Sequence, residues 1–276
     1  MSLKIFYLTT EIIPFANTSS LADFSAKVPL LLQNKEHDIR TITPKYGYVS
    51  ERKYILREVI RLREIPFEFG EENVITSAKR AFIPITRVQV YFLEDDKRFK
   101  PLTNLIYKAK NGRVLTDNDM RFAYFSKASL AILPHLFWRP DVLWCNDWLS
   151  ALVPAFYKQK YVNDEFYAGM KSVLVVHNYE KEFLAISWNT FKNAGLEEPA
   201  IMKKGVVNAY EAAAEYVDLM IAIDSPNNQV SKKLLELPAL KEKKSKLLTI
   251  KTSGEESPDY DKVAAKIDSG LQKLFS

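Results

Sequence analysis

Side chains that could act as acids or bases follow two strand-like apolar runs of this chain. Asp147 and Trp148 come just after the run at 142–145, and His177 follows directly on the run at 172–176. Carboxylates and imidazoles are common general acids and bases. Because open α/β sheets bind ligands at the carboxyl ends of their strands, we expect Asp147 and His177 to lie near one sheet edge. On the residues alone, a histidine that ends a buried strand is more often a structural hydrogen-bonding residue, so both interpretations stand.

A second candidate feature is the loop that begins at Thr9 and leads into a predicted helix at 21–33. The first N–H groups of a helix lack partners and lie at the positive end of the helix dipole, so they suit an anion such as a diphosphate. Ser19 and Ser20 could instead simply cap the helix, which is the commoner role of serine there.

Strand-like and helical stretches alternate along the chain, as is typical of a parallel sheet covered on both faces. The predicted strands lie at 5–8, 39–43, 142–145, 172–176 and 219–223, and the predicted helices at 21–33, 117–133, 148–160 and 201–216. Alternating apolar and polar residues between 54 and 93 predict an antiparallel insertion. The fold class is therefore α/β, a single doubly wound, Rossmann-like and mostly parallel sheet with an antiparallel insertion.

The last part of the chain differs in composition. The core is expected to end near Leu237, which divides the chain into a domain at 1–237 and a charged linker with a terminal helix at 238–276. The linker composition is clearest at 253–258, and the amphipathic segment at 263–275 could dock as a last helix.

Composition excludes several classes of protein. Apolar residues make up 47% and charged residues 26% of the chain, which is ordinary for a globular domain and argues against general disorder. The formal charge of +5 comes largely from a late lysine run without interleaved aromatic residues, so we expect a solvated helical face and no nucleic-acid partner. No apolar run is long enough to span a membrane and no signal peptide is evident, so a cytoplasmic location is expected.

Metal and thiol chemistry are not expected either. The chain has three histidines and one cysteine, with no clustered set of metal ligands, so we predict neither a metal nor a cofactor. Cys145 ends an apolar run, which favours a buried, unreactive thiol.

The loop sequence resembles the opening loop of the bacterial glycogen synthases and plant starch synthases. Residues 11–23 follow the pattern E-x-x-P-[FY]-x-K-x-G-G-L-A-D of that family except at three positions. Six further segments match it in the same order, at 44–47, 119–128, 138–142, 147–155, 176–178 and 224–226. The chain is thus similar to the N-terminal domain of glycosyltransferase family 5, over residues 5 to about 235, and to nothing of its C-terminal domain.

The resemblance implies a GT-B architecture, in which two Rossmann-like domains close around the substrates. Its members transfer glucose from ADP-glucose or UDP-glucose to an α-1,4-glucan with retention of configuration, without a metal. The N-terminal domain supplies most of the acceptor surface, and the C-terminal domain supplies the nucleotide pocket. For this chain the resemblance implies the acceptor half, with the donor domain lacking.

The resemblance carries over to the site residues only in part. Asn17 stands where the family has the lysine that reaches the donor phosphates, and Ser19 and Ser20 replace a Gly-Gly pair. Phosphate binding in the family manner is therefore not expected, because a positive charge is lost and side chains crowd the backbone.

The residues after the two central strands are retained better. Asp147 and Trp148 match the family, although Asn146 and Leu149 replace its two flanking histidines. In the family, the counterpart of His177 lies beside the donor sugar. Asn178, which follows it in the matched motif, joins the candidate substrate-binding residues.

Aromatic residues are further candidates, because sugars stack on exposed rings. Tyr46 in the matched 44–47 segment is a candidate substrate-binding residue, as is Trp148, although a tryptophan within an apolar run is more often part of the core. Trp188 stands in a polar stretch and is the best surface candidate.

Three hypotheses for function follow. The first is a degenerate glycogen-synthase-like domain, inactive alone, that binds an α-glucan, a maltooligosaccharide or a partner protein. The second is the acceptor half of a split glucosyltransferase, whose donor domain is separately encoded or which works as a homo-oligomer. The third is a scaffold protein that uses an apolar patch as a protein interface, on the side that faces the second domain in the GT-B architecture.

Overall fold

The computed structural model describes residues 1–254 and 258–276. Its strands are β1 (Lys4–Leu8), β2 (Asp38–Pro44), β3 (Arg57–Glu58), β4 (Ile65–Phe69), β5 (Glu72–Phe82), β6 (Gln89–Glu94), β7 (Val142–Asn146), β8 (Lys171–Val176), β9 (Ala185–Ser187), β10 (Val206–Asn208), β11 (Leu219–Asp224) and β12 (Leu247–Lys251). Its α-helices are α1 (Ser20–Gln33), α2 (Glu51–Tyr54), α3 (Asn118–Ile132), α4 (Val153–Phe156), α5 (Trp188–Ala194), α6 (Ala209–Ala214), α7 (Val230–Leu235), α8 (Pro238–Glu242) and α9 (Tyr260–Gln272).

The main sheet has the strand order β12-β11-β8-β7-β1-β2-β6-β5-β3. All pairs from β12 to β6 are parallel, and the pairs β6-β5 and β5-β3 are antiparallel. The central strands β7 and β8 are buried on both faces, which explains their continuous apolar sequences. The predicted α/β fold with a mostly parallel sheet and an antiparallel insertion is confirmed.

The insertion differs from the prediction in its details. Strand β6 pairs in parallel with β2 and so belongs to the main sheet, while β5 pairs antiparallel with β3, β4 and β6. The alternating residues after Tyr54 form only the two-residue strand β3, followed by a 3₁₀ turn at Ile60–Leu62. One cause is Ile55, whose φ of 53° ends helix α2 and turns the chain away from an extended path.

Two predicted helices are wrong in extent. The segment after Trp148 is a 3₁₀ turn, then α4, then a π-helical turn at Tyr157–Tyr161. The predicted helix at 201–216 is an α-helix only in α6, because Gly205 at φ 75° leads instead into a β9-β10 hairpin. The side chain of Asn208 then caps α6 by accepting a hydrogen bond from the Tyr210 N–H group.

Buried apolar residues form two clusters, one on each face of the sheet. In the smaller cluster, helices α1 and α9 cover β1, β7, β8 and β11, with Phe24 and Ile267 buried between them. Strand β12 extends the sheet beside β11, and its Ile250 is fully buried. The expectation that the core ends near Leu237 is therefore wrong, because β12 and α9 complete the second cluster.

The predicted terminal helix is confirmed as α9, which packs against α1. Part of the predicted linker at 253–258 falls on 255–257, outside the described residues. The division of the chain at residue 237 into two units stays a prediction.

Candidate functional site

Asp147 lies in the turn that follows β7. The parallel register of β7 and β8 pairs Asn146 with Val175, so the turn after β7 lies beside His177 and Asn178. The Asp147 Oδ1 atom accepts hydrogen bonds from the N–H groups of His177 at 2.6 Å and Asn178 at 3.1 Å. Its Oδ2 atom accepts a third from the Asn178 side chain at 3.2 Å. One carboxylate thus holds the two turns together, and Asp147 and His177 lie at the carboxyl edge as predicted.

The backbone of Asp147 is strained. Its φ of 50° and ψ of −171° lie close to a region that glycine almost alone occupies. Burial raises the pKa of Asp147 to about 7, and the negative charge of Glu11 adds to this effect, whereas the hydrogen bonds from His177 and Asn178 oppose it. A buried carboxyl group with such a pKa can change protonation near neutral pH.

His177 is 7% exposed and packs its ring edge-to-face on Phe24, with the ring centroids 4.1 Å apart. Burial lowers the pKa of His177 to about 3, so the imidazole is neutral at physiological pH. Its Nε2 atom lies 3.4 Å from the Oδ1 atom of Asn146. A neutral ring in this position can exchange hydrogen bonds with a ligand but supplies no positive charge.

The loop between β1 and α1 is held by the carboxylate of Glu11, which is 1% exposed. Its oxygens accept hydrogen bonds from the Thr18 and Ser19 N–H groups, from the Ser19 hydroxyl at 3.1 Å and from the Tyr107 hydroxyl at 2.7 Å. Burial raises the pKa of Tyr107 well above its usual value, which keeps the proton on the donating hydroxyl. The donors that a bound anion could use in this loop are therefore already paired with an internal anion.

Two adjoining cavities open at this edge, and Asn178 lines both. The first, here called the loop cavity, has a volume of about 200 Å³. Its lining includes Glu11, Thr18, Ser19, Leu105, Tyr107, Lys108, Asp147, Trp148, Asn178, Glu180 and Phe183. The second, the helix cavity, has about 240 Å³ and is lined by residues that include Ser20, Phe24, His177, Asn178, Asn228, Thr252 and Tyr260.

The loop cavity combines acidic groups with aromatic rings. Glu11, Asp147 and Glu180 contribute carboxyl groups, and Lys108 already pairs with Glu182 at 2.8 Å. Trp148 stacks on Phe183 with the ring planes 1° apart and the centroids 5.4 Å apart. Trp148 is 9% exposed, so the half-buried Phe183 covers it and presents the aromatic surface of the cavity.

The other predicted site residues lie in different surroundings. Ser19 is the N-cap of α1, since its Oγ atom accepts from the Leu21 N–H group, whereas Asn17 and Ser20 are exposed. Tyr46 is fully buried and donates its hydroxyl to the Thr10 carbonyl, so its ring is covered and lines neither cavity. Trp188 is 39% exposed at the start of α5 and also lies outside both cavities.

Among the lining residues that were not predicted, three shape the loop cavity most directly: Glu11, Tyr107 and Phe183. Glu11 belongs to the matched loop motif, and its position before a helix start could have suggested a carboxylate for the loop N–H groups. Tyr107 and Phe183 come from segments without a matched motif, and no local sequence signal places them beside Asp147.

Within the described ranges, no group of three or more His, Cys, Asp or Glu side chains could hold a metal ion. The part of the chain that the structure describes also has no helix long and apolar enough to cross a membrane.

A parallel α/β sheet with two adjoining cavities at its carboxyl edge defines a doubly wound domain, and this fold matches one half of a GT-B glycosyltransferase. Residues 4–227 match the family model of the starch synthase catalytic domain. The chain belongs to this family.

Relatives and a solved structure agree with this assignment. The chain is 32% identical over 222 residues to the glycogen synthase of Chlorobium limicola, a match covering 79% of this chain and 45% of that protein. It is 35% identical over 175 residues to the glycogen synthase of Chlorobium luteolum, covering 63% and 36%. The chain thus spans less than half the length of these relatives.

The fold is similar to that of the catalytic domain of starch synthase IV from Arabidopsis thaliana, solved bound to ADP and acarbose. The TM-score is 0.75 at 21% identity, and the match covers 92% of this chain and 52% of that chain.

Proposed function

We propose that this chain is the acceptor-side domain of a glycogen or starch synthase, that it binds an α-glucan or maltooligosaccharide in the loop cavity, and that by itself it transfers no glucose. The observation that carries the proposal is the lining of that cavity. It combines Phe183 stacked on Trp148 with carboxyl and amide groups, and it lies where Asp147 and Asn178 join the two turns. Aromatic faces and neutral or acidic hydrogen-bonding groups suit the hydroxyls and apolar faces of a sugar.

The same lining argues against a nucleotide diphosphate. The loop N–H groups donate to Glu11, and Glu180 adds further negative charge, while Lys108 is paired with Glu182. Like charges at close range in a partly buried site repel strongly. Exposed Asn17 offers no positive charge to reverse this. The Arabidopsis relative, bound to ADP and acarbose, makes both ligand classes worth testing.

Calorimetric titration tests the proposal directly. Maltoheptaose should bind to the purified chain, and ADP-glucose and UDP-glucose should bind far more weakly. Phe183→Ala should weaken maltoheptaose binding by about tenfold, equivalent to 1.4 kcal/mol. Trp188→Ala, which removes an exposed tryptophan outside the cavity, is the matched control and should leave the affinity unchanged. Binding of ADP-glucose without maltoheptaose would contradict the proposal.

The second candidate is the acceptor half of a split glucosyltransferase. Its support is the proximity of Asp147 and a neutral His177 on adjoining turns of one sheet edge. An assay of radiolabelled glucose transfer distinguishes this candidate from the first proposal. The chain alone should show no transfer to glycogen above a His177→Ala control, because loss of one preorganised charge-stabilising group typically costs about 100- to 1000-fold in rate. Turnover that appears only on adding a separate donor domain would favour the second candidate.

A further inference from the structure

A groove of about 560 Å³ lies at the far end of the sheet, where the strand order ends in β3. Its apolar wall is formed by Tyr54, Ile55, Ala81, Phe82 and Pro84. Strand β3 covers β5 through only two residue pairs, Arg57 with Arg80 and Glu58 with Lys79. The outer edge of β5 beyond Arg80 therefore faces the groove, and the side chain of Phe82 is 49% exposed there.

The charged side chains that line this groove are all basic. Lys53, Arg57 and Arg80 line it, and none of the three forms an ion pair among the described residues. The nearby carboxylates are engaged elsewhere, Glu51 with Lys45 and Lys79 and Glu58 with Arg63. Lys53 lies 4.9 Å from the ring centroid of Tyr54, and Arg80 lies 5.7 Å from that of Phe82, so two of the cations are held against the apolar wall.

Two isoleucines beside the groove are held in an unfavourable backbone conformation without burying their side chains. Ile55 has φ 53° and is 64% exposed, and Ile85, which follows Pro84, has φ 64° and is fully exposed. β-Branched residues rarely adopt positive φ, because the Cβ atom then comes too close to the following carbonyl oxygen. Exposed apolar side chains on strained backbone are typical of a surface that another molecule covers.

We propose that this groove docks a segment of a partner protein that alternates carboxylate and apolar side chains. The apolar side chains would pack on Ile55 and Phe82, and the carboxylates would pair with the unneutralised cations Arg57 and Arg80. An extended segment fits best, because the open edge of β5 can donate and accept main-chain hydrogen bonds. The surface of Ile85 extends the apolar area past the groove, which favours a peptide over a small anion. Tyr54 links this surface to the candidate site, because its hydroxyl donates to the Pro14 carbonyl and its ring packs on Phe15.

Selection from a random peptide display library tests the proposal. The folded chain serves as bait, and the selected peptides are then synthesised and measured by fluorescence anisotropy. Peptides with carboxylates alternating with apolar residues should be enriched. The double variant Arg57→Glu with Arg80→Glu should weaken their binding by at least about tenfold, as should Phe82→Ser. Lys110→Glu with Arg113→Glu reverses two exposed charges outside the groove and is the matched control.

Folding of the variants is checked by circular dichroism. Ile55→Asn gives a second arm, because asparagine tolerates positive φ and should keep the fold while removing the apolar contact. Peptides without carboxylates, binding unaffected by the groove variants, or no enrichment would each overturn the proposal. So would an RNA oligonucleotide that competes with the peptides for the groove, or a dimer of the chain abolished by Phe82→Ser.

Discussion

The turns after β7 and β8 and the loop between β1 and α1 line the same cavity but differ in how their side chains are held. Asp147 and His177 are each less than a tenth exposed, and Asp147 accepts three hydrogen bonds. In the loop, Asn17 and Ser20 are exposed, and the backbone is fixed by Glu11 from within.

The two regions should therefore respond differently to substitution: changes in the turns should affect stability, and changes in the loop should affect ligand preference. In the two turns, the residues that could act on a ligand also hold the sheet edge together, so changing them should destabilise the fold. In the loop, Asn17 and Ser20 differ from the family pattern and are exposed, so they can change ligand preference at little cost in stability, whereas Ser19 also caps α1. Four predictions test this contrast, in order of decreasing effect.

Replacing Asp147 should have the largest effect. Asp147→Ala leaves three donors without their acceptor, and a buried unsatisfied group costs about 1–3 kcal/mol, so we expect a loss of roughly 3 kcal/mol or more in the free energy of unfolding. Asp147→Gly loses the same bonds but relieves the backbone at φ 50°, so it should be about 1 kcal/mol less destabilising. Urea denaturation measures both, and equal losses would refute the strain at this position.

The pH dependence of stability should depend on both buried groups of the turns. The pKa of Asp147 is raised from 3.8 to about 7, so its contribution is present below pH 3.8 and is lost as the pH rises to about 7. The pKa of His177 is lowered from 6.5 to about 3, so its contribution is present above pH 6.5 and is lost as the pH falls to about 3. Between pH 3.8 and 6.5, the contributions of Asp147 and His177 to the free energy of unfolding therefore change in opposite directions.

Single substitutions should therefore reveal opposite slopes. In Asp147→Asn the free energy of unfolding should rise between pH 4 and 6.5, and in His177→Gln it should fall between pH 4 and 7, by up to about 1.4 kcal/mol per pH unit. Urea denaturation at several pH values checks the sign. Slopes of the same sign in both variants would show that the two groups do not oppose each other.

Restoring the family pattern in the loop should change ligand preference. Asn17→Lys with Ser19→Gly and Ser20→Gly returns a positive charge and a close backbone approach, so ADP should bind at least about tenfold more tightly while maltoheptaose binding stays the same. Asn17→Gln, with both serines kept, is the control for side-chain length. Should the unmodified chain already bind ADP-glucose at micromolar concentration and ignore maltooligosaccharides, the acceptor-side proposal is wrong.

The smallest effect concerns the cap of α1. Ser19→Ala removes the oxygen that accepts from Leu21, and should lower the free energy of unfolding by about 1 kcal/mol, whereas Ser19→Gly should cost only a few tenths. Ser20→Ala, one position further on and exposed, should change nothing measurable. Thermal unfolding distinguishes the three. If Ser20→Ala lowered the free energy of unfolding as much as Ser19→Ala does, Ser19 would not be the cap of α1.

The sequence predicts the parts of this molecule that depend on local pattern. Buried strands such as β7 and β8 are continuous apolar runs, and their parallel pairing is enough to bring Asp147 and His177 to one edge. Strand β12 was missed because it lies in a lysine-rich stretch and buries fully only Ile250. The bonding of Glu11 to Tyr107 joins residues 96 positions apart, and no local pattern indicates such a contact.

Helix α9 completes the core over α1 and ties the last part of the described chain to the first, with the Met1 ammonium group 3.2 Å from the Gln272 side chain, 271 positions away. Helix α1 ends at Gln33 and α9 begins only at Tyr260. At a synthesis rate of about 5–20 residues per second, roughly ten to fifty seconds pass between the synthesis of α1 and the synthesis of α9. The apolar face of α1 therefore lacks its α9 cover for as long as residues 34–259 are being synthesised.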